Sequence, residues 1–238
     1  MKYPILILLL IFGLRSYAQY PFEKYPKPHY NVIPLKVLVQ NDSQFVAKSA
    51  KYKGYSIKLE DAQADTKVTV YHHNKIIKVF TIDLGPLWII LPPKSALCAA
   101  DIDGNGTVDF KLKTYNNGSG LAGSLMHKLF LFNRGGSNFS AVHYMDFFDN
   151  DERDLNGDGR YEIITQHYKQ NQDNNHAYWV FDLFNFKNGK LVNVSAENNY
   201  PIMVQFLYRD NYRITRHFTR RQMRRFSVIT PQFFEYIK

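Results

Sequence analysis

The chain has 238 residues, a formal net charge of +9 at pH 7 and one cysteine. This length permits one large domain or two small ones. A single cysteine excludes an intramolecular disulfide, so core burial, together with any bound metal, must supply the stability that small exported proteins often take from disulfides.

The N-terminus predicts a signal peptide over residues 1–18. Lys2 precedes an apolar run over residues 5–14, and Ser16 and Ala18 supply small residues before a cleavage site ahead of Gln19. The run is too short to cross a bilayer as a stable helix and no second run follows it, so we expect no transmembrane segment. We therefore expect export by a bacterium, to the periplasm or the extracellular space.

Two segments follow the signal peptide. Residues 19–34 contain four prolines, which disfavour a long helix or a central strand and predict an extended leader over the surface. Residues 35–95 consist of strand-sized runs and predict an N-terminal β module. Its clearest hairpin is the stretch "TKVTVYHHNKIIKVFTI", with His72 and His73 at the turn.

An internal repeat dominates residues 96–200. The stretch "DIDGNGTVDF", which begins at Asp101, recurs as "DLNGDGRYEI" from Asp154, 53 positions later. Each copy is followed by an aromatic strand-like run and a tight turn, and Asn188-Gly189 is the strongest short hairpin signal in the chain. We predict two related β units of about fifty residues, a size typical of propeller blades.

The last segment, residues 201–238, predicts a hairpin around "YRDNYR" and then a basic β segment. No long helical apolar stripe occurs anywhere, so the predicted class is all-β. The basic residues are Arg213, Arg216, Arg220, Arg221, Arg224 and Arg225. They indicate either a binding patch for an anionic ligand or a solvated arginine face whose stems cover apolar surface. Because export is predicted, we expect no nucleic-acid partner.

The two repeated loops have the composition of calcium sites. Calcium takes six to eight oxygen ligands, and a tight turn supplies them from alternate residues when glycine permits the bend. The predicted ligands of the first loop are Asp101, Asp103, Asn105, the Thr107 carbonyl and Asp109. Those of the second are Asp154, Asn156, Asp158, the Arg160 carbonyl and Glu162. Asp, Asn and Gly also favour polar turns without an ion, but the spacing, the repeat and the clustered negative charge favour two calcium ions.

The pattern D-x-[DN]-x-[DN]-G-x-x-[DE], entering a β-strand, resembles the calcium loops of FG-GAP or VCBS repeats. It departs from an EF-hand, which needs a bidentate Glu at position twelve where this chain has Leu112 and Thr165. The resemblance covers mainly residues 98–195. It implies an all-β, small or degenerate β-propeller-like fold built from short antiparallel sheets, in which the ions are structural.

Other motifs give weak support for an enzyme. The stretch "GSGLAG" at residues 118–123 matches a dinucleotide-binding pattern, but no long helix follows it. The chain has no serine-hydrolase G-x-S-x-G and no paired His motif. Cys98 lies in the apolar stretch "SALCAA" and is expected to be a small buried hydrophobe.

These features predict an exported, non-enzymatic calcium-binding protein that binds an unknown protein or glycan partner. Two alternatives stay open. One is a periplasmic inhibitor of lysozyme-like enzymes, because some exported bacterial proteins with such calcium loops resemble periplasmic lysozyme inhibitors. The other is a glycan-active enzyme, because paired carboxylates can meet only in the fold.

Overall fold

The structure is a computed structural model, and it describes the following parts of the chain: residues 22–41, 44–62, 65–84, 97–115, 125–136, 138–147, 149–171, 176–187, 189–201, 204–206, 219–226, 228, 230–231 and 234–237. The predicted signal peptide, the "GSGLAG" stretch and the hairpin predicted around "YRDNYR" lie outside these residues.

The described chain is almost entirely β-structure, as predicted. Its strands, in chain order, are β1 (Asn31–Ile33), β2 (Leu35–Asn41), β3 (Gln44–Ser49), β4 (Tyr55–Ala62), β5 (Asp65–His72), β6 (Lys75–Ile82), β7 (Leu97–Ala100), β8 (Asp109–Tyr115), β9 (Met126–Asn133), β10 (Phe139–Asp146), β11 (Ile163–Asn171), β12 (His176–Lys187), β13 (Lys190–Asn193), β14 (Val204–Phe206) and β15 (Glu235–Ile237). The single helix among the described residues is α1 (Arg220–Met223).

These strands form three antiparallel sheets, and none of them closes on itself. The N-terminal sheet has the order β2-β3-β4-β5-β6, and the central sheet has the order β1-β7-β8-β9-β10-β15. The C-terminal sheet consists of β11-β12-β13, with β14 paired to β12. Most neighbours in each sheet are also consecutive in sequence, which is the meander expected when short turns connect antiparallel strands.

Two of the turns follow directly from local sequence. His73 and Asn74 connect β5 to β6 with φ angles of 48° and 66°, the left-handed conformation that a tight two-residue hairpin requires. Lys187 pairs with Lys190 across the β12–β13 turn, where Gly189 has φ of 78°. Both hairpins were predicted, although the first turn lies one residue further along the chain than His72-His73.

The sheets stack face to face, with the central sheet in the middle. One core lies between the N-terminal and central sheets and includes Leu129 and Leu131 of β9. A second core lies between the central and C-terminal sheets and includes Phe132, whose ring stacks on Phe186 at 3.7 Å between centroids. All eight residues of β9 are therefore buried, including the apolar run over residues 129–132 and the polar side chains of His127, Lys128 and Asn133.

The described part of the predicted leader, residues 22–34, is more deeply embedded than a surface segment. Phe22 is fully buried and packs edge-to-face on Phe181 of β12, with 5.1 Å between the ring centroids. The proline-free residues 31–33 then form β1, which pairs with β7 at the edge of the central sheet. The prolines exclude a long strand, but three residues between them are enough to extend a sheet.

The C-terminal segment contains one turn of helix as well as β-structure. Thr219 and Gln222 form a reciprocal capping box at the start of α1. Glu235–Ile237 then returns to the central sheet as β15. None of the helices in the described residues has the length and apolar character needed to cross a bilayer.

Candidate metal sites in two equivalent loops

The two repeated loops are placed in equivalent hairpins. The first loop, residues 101–109, leaves β7 and enters β8, and Ala100 pairs with Asp109 at its base. The second loop, residues 154–162, is closed by an isolated bridge between Arg153 and Glu162. Each residue of the second closing pair lies 53 positions after its equivalent in the first pair. The repeat therefore includes the backbone that closes each loop.

The first acidic residue of each loop organises the turn. The two carboxylate oxygens of Asp101 accept hydrogen bonds from the backbone N–H groups of Asn105 (3.0 Å) and Gly106 (2.9 Å). Asp154 accepts from the N–H groups at the equivalent positions 158 (3.1 Å) and 159 (3.0 Å). Each loop is therefore folded around a carboxylate at its first position.

The last acidic residue of each loop is buried and ties the loop to its surroundings. Asp109 accepts from the N–H of Ile102 (2.8 Å) within the loop and from the N–H of Asn133 (2.8 Å) at the end of β9. Glu162 accepts in the same way from the N–H of Leu155 (2.9 Å).

The second oxygen of Glu162 is held by side chains from elsewhere in the C-terminal part of the chain. Asn185 of β12 donates through its amide (3.2 Å), and Tyr200 donates through its hydroxyl (3.2 Å). Asn133, Asn185 and Tyr200 were missed by sequence reasoning because they are 24, 23 and 38 residues away from the carboxylates they contact. No local pattern indicates them.

Glycine at the sixth position is required by the backbone in both loops. Gly106 and Gly159 have φ angles of 81° and 80°, in the left-handed region that other residues rarely adopt. The prediction that the chain turns sharply at these two positions agrees with the backbone.

The carboxylates of the first loop converge. Ligand oxygens of Asp101, Asp103 and Asp109 all lie within 4.8 Å of one another. A cation about 2.4 Å from each oxygen can contact all three, because two oxygens on opposite sides of a calcium ion are about 4.8 Å apart. Among the residues that the structure describes, this is the one group of three or more His, Cys, Asp or Glu side chains with such geometry.

The second loop has a different distribution of charge. Asn156 occupies the position of Asp103, and Asp158 occupies the position of Asn105. The Asn156 amide donates to the Asp158 carboxylate at 3.0 Å, whereas in the first loop Asn105 donates to Asp103 at 3.1 Å. The same amide–carboxylate contact is thus made in both loops, with the positions of the Asn and Asp residues exchanged. The second loop remains rich in oxygen ligands, but its acidic side chains, Asp154, Asp158 and Glu162, are further apart than those of the first.

Burial makes the ionised form of the closing carboxylates costly. Burial, reinforced by the charge of Asp103, raises the pKa of Asp109 to about 8. Burial also raises the pKa of Glu162 to about 7, with smaller contributions from Asp158 and Asp154. Clustered carboxylates in such surroundings repel one another, and a bound cation is the ordinary way to neutralise them.

The remaining predicted ligands are held in the loops by hydrogen bonds. The Thr107 hydroxyl donates to the backbone carbonyl of Asn133 (2.5 Å), and the Asn105 amide donates to the same carbonyl (2.8 Å). The N–H of Arg160 donates to Asp158 (2.9 Å). These contacts fix the loop backbones, whose carbonyls were the predicted ligands at Thr107 and Arg160.

The two loops also contact each other. The N–H of Tyr161 in the second loop donates to the carbonyl of Ile102 in the first at 3.0 Å. A Cβ added to Gly104 would lie only 2.8 Å from Cγ of Arg160 and 3.2 Å from the carbonyl oxygen of Gly159. The candidate sites therefore form one contiguous structure at the edges of two stacked sheets.

The basic C-terminal segment is only partly described. Arg220 uses its guanidinium to donate to the backbone carbonyls of Ser195 (3.4 Å), Asn198 (3.2 Å) and Tyr200. Arg221, Arg224 and Arg225 are exposed, and Arg213 and Arg216 lie outside the described residues. Arg220 is therefore engaged in fixing a turn, which leaves three described arginines available to an anionic ligand.

A buried charge cluster lies elsewhere on the central sheet and was not anticipated from sequence. Lys111 of β8 donates to both carboxylate oxygens of Glu152, at 2.6 and 2.8 Å, and the Tyr30 hydroxyl donates to the same carboxylate. Lys128 lies nearby, 3.9 Å from Asp146. Burial alone would raise the pKa of Glu152, but Lys111 and Tyr30 hold it below its ordinary value.

Two histidines form a second buried polar feature, on the side of the central sheet that faces the N-terminal sheet. Nδ1 of His127 lies 3.0 Å from Nε2 of His143, and the rings are stacked. Burial lowers the pKa of both imidazoles, that of His143 to about 4. Both rings are therefore neutral at pH 7.

The thiol of Cys98 is half-buried in β7, between Val32 of β1 and Lys111 of β8 in register. Burial raises its pKa, which lowers the thiolate fraction at neutral pH. Cys98 is therefore less buried than the small buried hydrophobe expected from "SALCAA".

Comparison of the chain with protein-family models, with curated proteins and with solved structures returned no match. Function is therefore argued from the geometry of the loops.

Proposed function

We propose that this chain is an exported, non-enzymatic calcium-binding protein in which two calcium ions stabilise the paired loops. The observation that carries the proposal is the convergence of Asp101, Asp103 and Asp109 in a loop whose backbone hydrogen bonds recur, position by position, 53 residues later. A polar turn that served only to reverse the chain would not need three converging carboxylates.

The donor set favours calcium over other common cations. All the side chains predicted as ligands in the two loops offer oxygen, whereas zinc prefers His and Cys. Magnesium demands near-ideal octahedral geometry and usually keeps several waters, while calcium accepts irregular cages of carboxylates and backbone carbonyls. Ligands taken from alternate residues of a bent loop make an irregular cage of this kind.

The expected role of the ions is structural. Asp109 begins β8 and Glu162 directly precedes β11, and the loops are hydrogen-bonded to each other. An ion that binds only the folded loops stabilises the fold by mass action, by about 2.7 kcal/mol at a free concentration of 100 Kd. In a chain without a disulfide, such ions would replace one source of stability.

The propeller-like arrangement and the export of the chain belong to the same proposal. The first repeat forms the meander β7-β8-β9-β10, and the second forms Arg153, β11, β12 and β13 in the same order. Each is close to the four-stranded blade of a propeller, and neighbouring sheets pack face to face as blades do. The partner is expected to be a protein or glycan in the periplasm or outside the cell.

Thermal unfolding in calcium, in magnesium and in chelator tests the proposal. We expect calcium to raise the melting temperature of the protein and magnesium to raise it less. Asp103→Asn keeps the side-chain shape but removes one converging charge, so it should reduce the calcium response. Asp65→Asn, at an exposed acidic residue of the N-terminal sheet, is the matched control and should respond like the parent protein. Equal melting temperatures in calcium and chelator would refute the proposal.

A further inference from the structure

The N-terminal sheet carries a second surface that the calcium loops do not use. Alternate residues of its strands, such as Ile57 and Leu59 of β4, are buried in the core against the central sheet. The residues between them point to the opposite side, which we call the outer face. Its charged members are Lys36, Lys48, Lys58, Glu60, Asp65 and Lys67, and Tyr71 is on the same face. Ser56 and Thr69 also lie on this face and are buried.

Three of these lysines form a row across neighbouring strands. Lys36 of β2 is directly opposite Lys48 of β3, and Lys48 is directly opposite Lys58 of β4. Adjacent strands are about 4.8 Å apart, and like charges placed directly opposite each other destabilise a sheet. The row is therefore unfavourable for the sheet by itself.

Two acidic residues lie on the same face, Glu60 directly opposite Lys67 and Asp65 two positions before it, so the four lysines leave the face with a net positive charge. Lys58 pairs with Glu60 at 2.6 Å. Lys48 lies over the ring of Tyr71, with its Nζ 4.7 Å from the ring centroid. Within the described parts of the chain, Lys36, Lys48 and Lys67 form no ion pair. An anionic partner would therefore find cations that are not neutralised.

Exposed aliphatic side chains lie at both edges of the same face. On the β2 edge, Val39 is opposite Val46 and is 37% exposed. On the β6 edge, Ile76 is opposite Tyr71 and is 60% exposed, and Val79 is opposite Thr69 and is 40% exposed. Lysines flanked by exposed aliphatic residues and a tyrosine match the composition of surfaces that lie on a bilayer.

We propose that the outer face binds the surface of an anionic lipid bilayer. The lysine ammonium groups would contact lipid phosphates, while Val39, Ile76 and Val79 would enter the boundary between headgroups and acyl chains. A soluble polyanion, such as an acidic glycan or a nucleic acid, would satisfy the lysines but leave the aliphatic edges exposed to water. The combination of charge and apolar surface therefore favours a membrane.

Sedimentation with vesicles tests this inference. The protein should bind vesicles of mixed phosphatidylcholine and phosphatidylglycerol and should not bind pure phosphatidylcholine. The triple variant Lys36→Gln, Lys48→Gln, Lys58→Gln should bind about 100-fold more weakly, since each lysine near an anionic bilayer contributes about fivefold. Relief of the opposed charges should leave its melting temperature equal to or higher than that of the parent protein.

Three further variants make the result specific. Lys27→Gln, Lys169→Gln, Lys190→Gln removes the same charge from exposed sites outside the N-terminal sheet and should leave vesicle binding nearly unchanged. Glu60→Gln removes the acidic residue that pairs with Lys58 and should strengthen binding. Ile76→Ser with Val79→Ser should weaken binding by an amount that added salt does not change.

Three results would overturn the inference. The first is equal loss of binding in the two triple lysine variants, which would indicate a general effect of net charge. The second is tighter binding to dextran sulfate or to a DNA oligonucleotide than to the anionic vesicles. The third is full vesicle binding by the Ile76→Ser, Val79→Ser variant.

Discussion

Asp109 and Glu162, 53 residues apart, make the same contact: each accepts a hydrogen bond from the backbone N–H of the residue seven positions before it. Each is also paired in register with the residue that precedes its loop. The two loops are therefore structural copies that differ in the placement of their charges. This difference allows the two candidate sites to be altered separately.

Contact between the loops should make Gly104 more sensitive to substitution than other glycines. Gly104→Ala places a side chain where φ is 68° and a Cβ would lie 2.8 Å from Arg160. We expect the left-handed backbone to cost about 1–2 kcal/mol and the clash to add to it. Chemical denaturation measures the change in the free energy of unfolding.

Gly136→Ala is the matched control for this prediction. Gly136 has φ of 64°, and an added Cβ there would meet nothing within 4 Å. Its loss of stability should therefore report the backbone cost alone. The same loss in both variants would show that the loops do not constrain each other at this contact.

The turn fixed by Arg220 should support the second loop. Arg220 holds the backbone carbonyl of Tyr200, and the Tyr200 hydroxyl donates to Glu162. Arg220→Ala should lower the melting temperature and weaken the response of the second loop to calcium. Arg221→Ala, at the exposed neighbour in the same helix, should change neither. If both variants behave alike, the turn is not part of the site.

His143 should contribute stability that is lost when the medium is acidified through the range in which histidine titrates. Burial, with a smaller contribution from His127, lowers the pKa of His143 to about 4, and Asp83 opposes this shift. The unfolded chain takes up this proton below about pH 6.5, while the folded chain does so only near pH 4. The histidine therefore contributes stability at pH 7 that is lost on acidification, by up to about 3 kcal/mol.

His143→Phe, measured beside the parent protein from pH 7 to pH 4, isolates this contribution. Glu235 also faces the ring, with its Oε2 3.7 Å from Nδ1 of His143, and it remains in the variant. The slope of stability against pH should decrease in His143→Phe and persist in His29→Gln, at an exposed histidine. An unchanged slope in His143→Phe would contradict the assignment.

The buried pair of Lys111 and Glu152 should respond strongly to loss of one partner. Glu152→Gln leaves the Lys111 ammonium buried, and we expect a loss of about 3–5 kcal/mol in the free energy of unfolding. Asp149→Asn breaks the exposed pair with Lys113, whose 2.9 Å contact is similar, and should cost about 1 kcal/mol or less. Equal effects in denaturant titrations would mean that burial does not govern the energetics.

The sequence was informative wherever structure depends on neighbouring residues. The all-β class follows from local conformational preferences, and so do the two hairpin turns, at His73-Asn74 and at Gly189. The capping box of Thr219 and Gln222 is also a sequence pattern. The helix that it begins has one turn, which is too short to show a long apolar stripe.

Features that depend on sheet stacking could not be read from the sequence. Asn133 and Tyr200 reach the closing carboxylates only because separate strands and turns converge around each loop. Lys111 alternates with apolar residues like a solvent-facing lysine, yet it is buried because a second sheet and the segment containing Glu152 cover that face. Such contacts are set by tertiary packing and not by local pattern.

Calorimetric titration with calcium, on the parent protein and on one variant of each loop, tests the central claim most directly. The account predicts two sites in the parent protein, with Asp103→Asn weakening one and Asp158→Asn weakening the other. Absence of calcium binding at millimolar concentration would contradict it and would return both loops to polar turns.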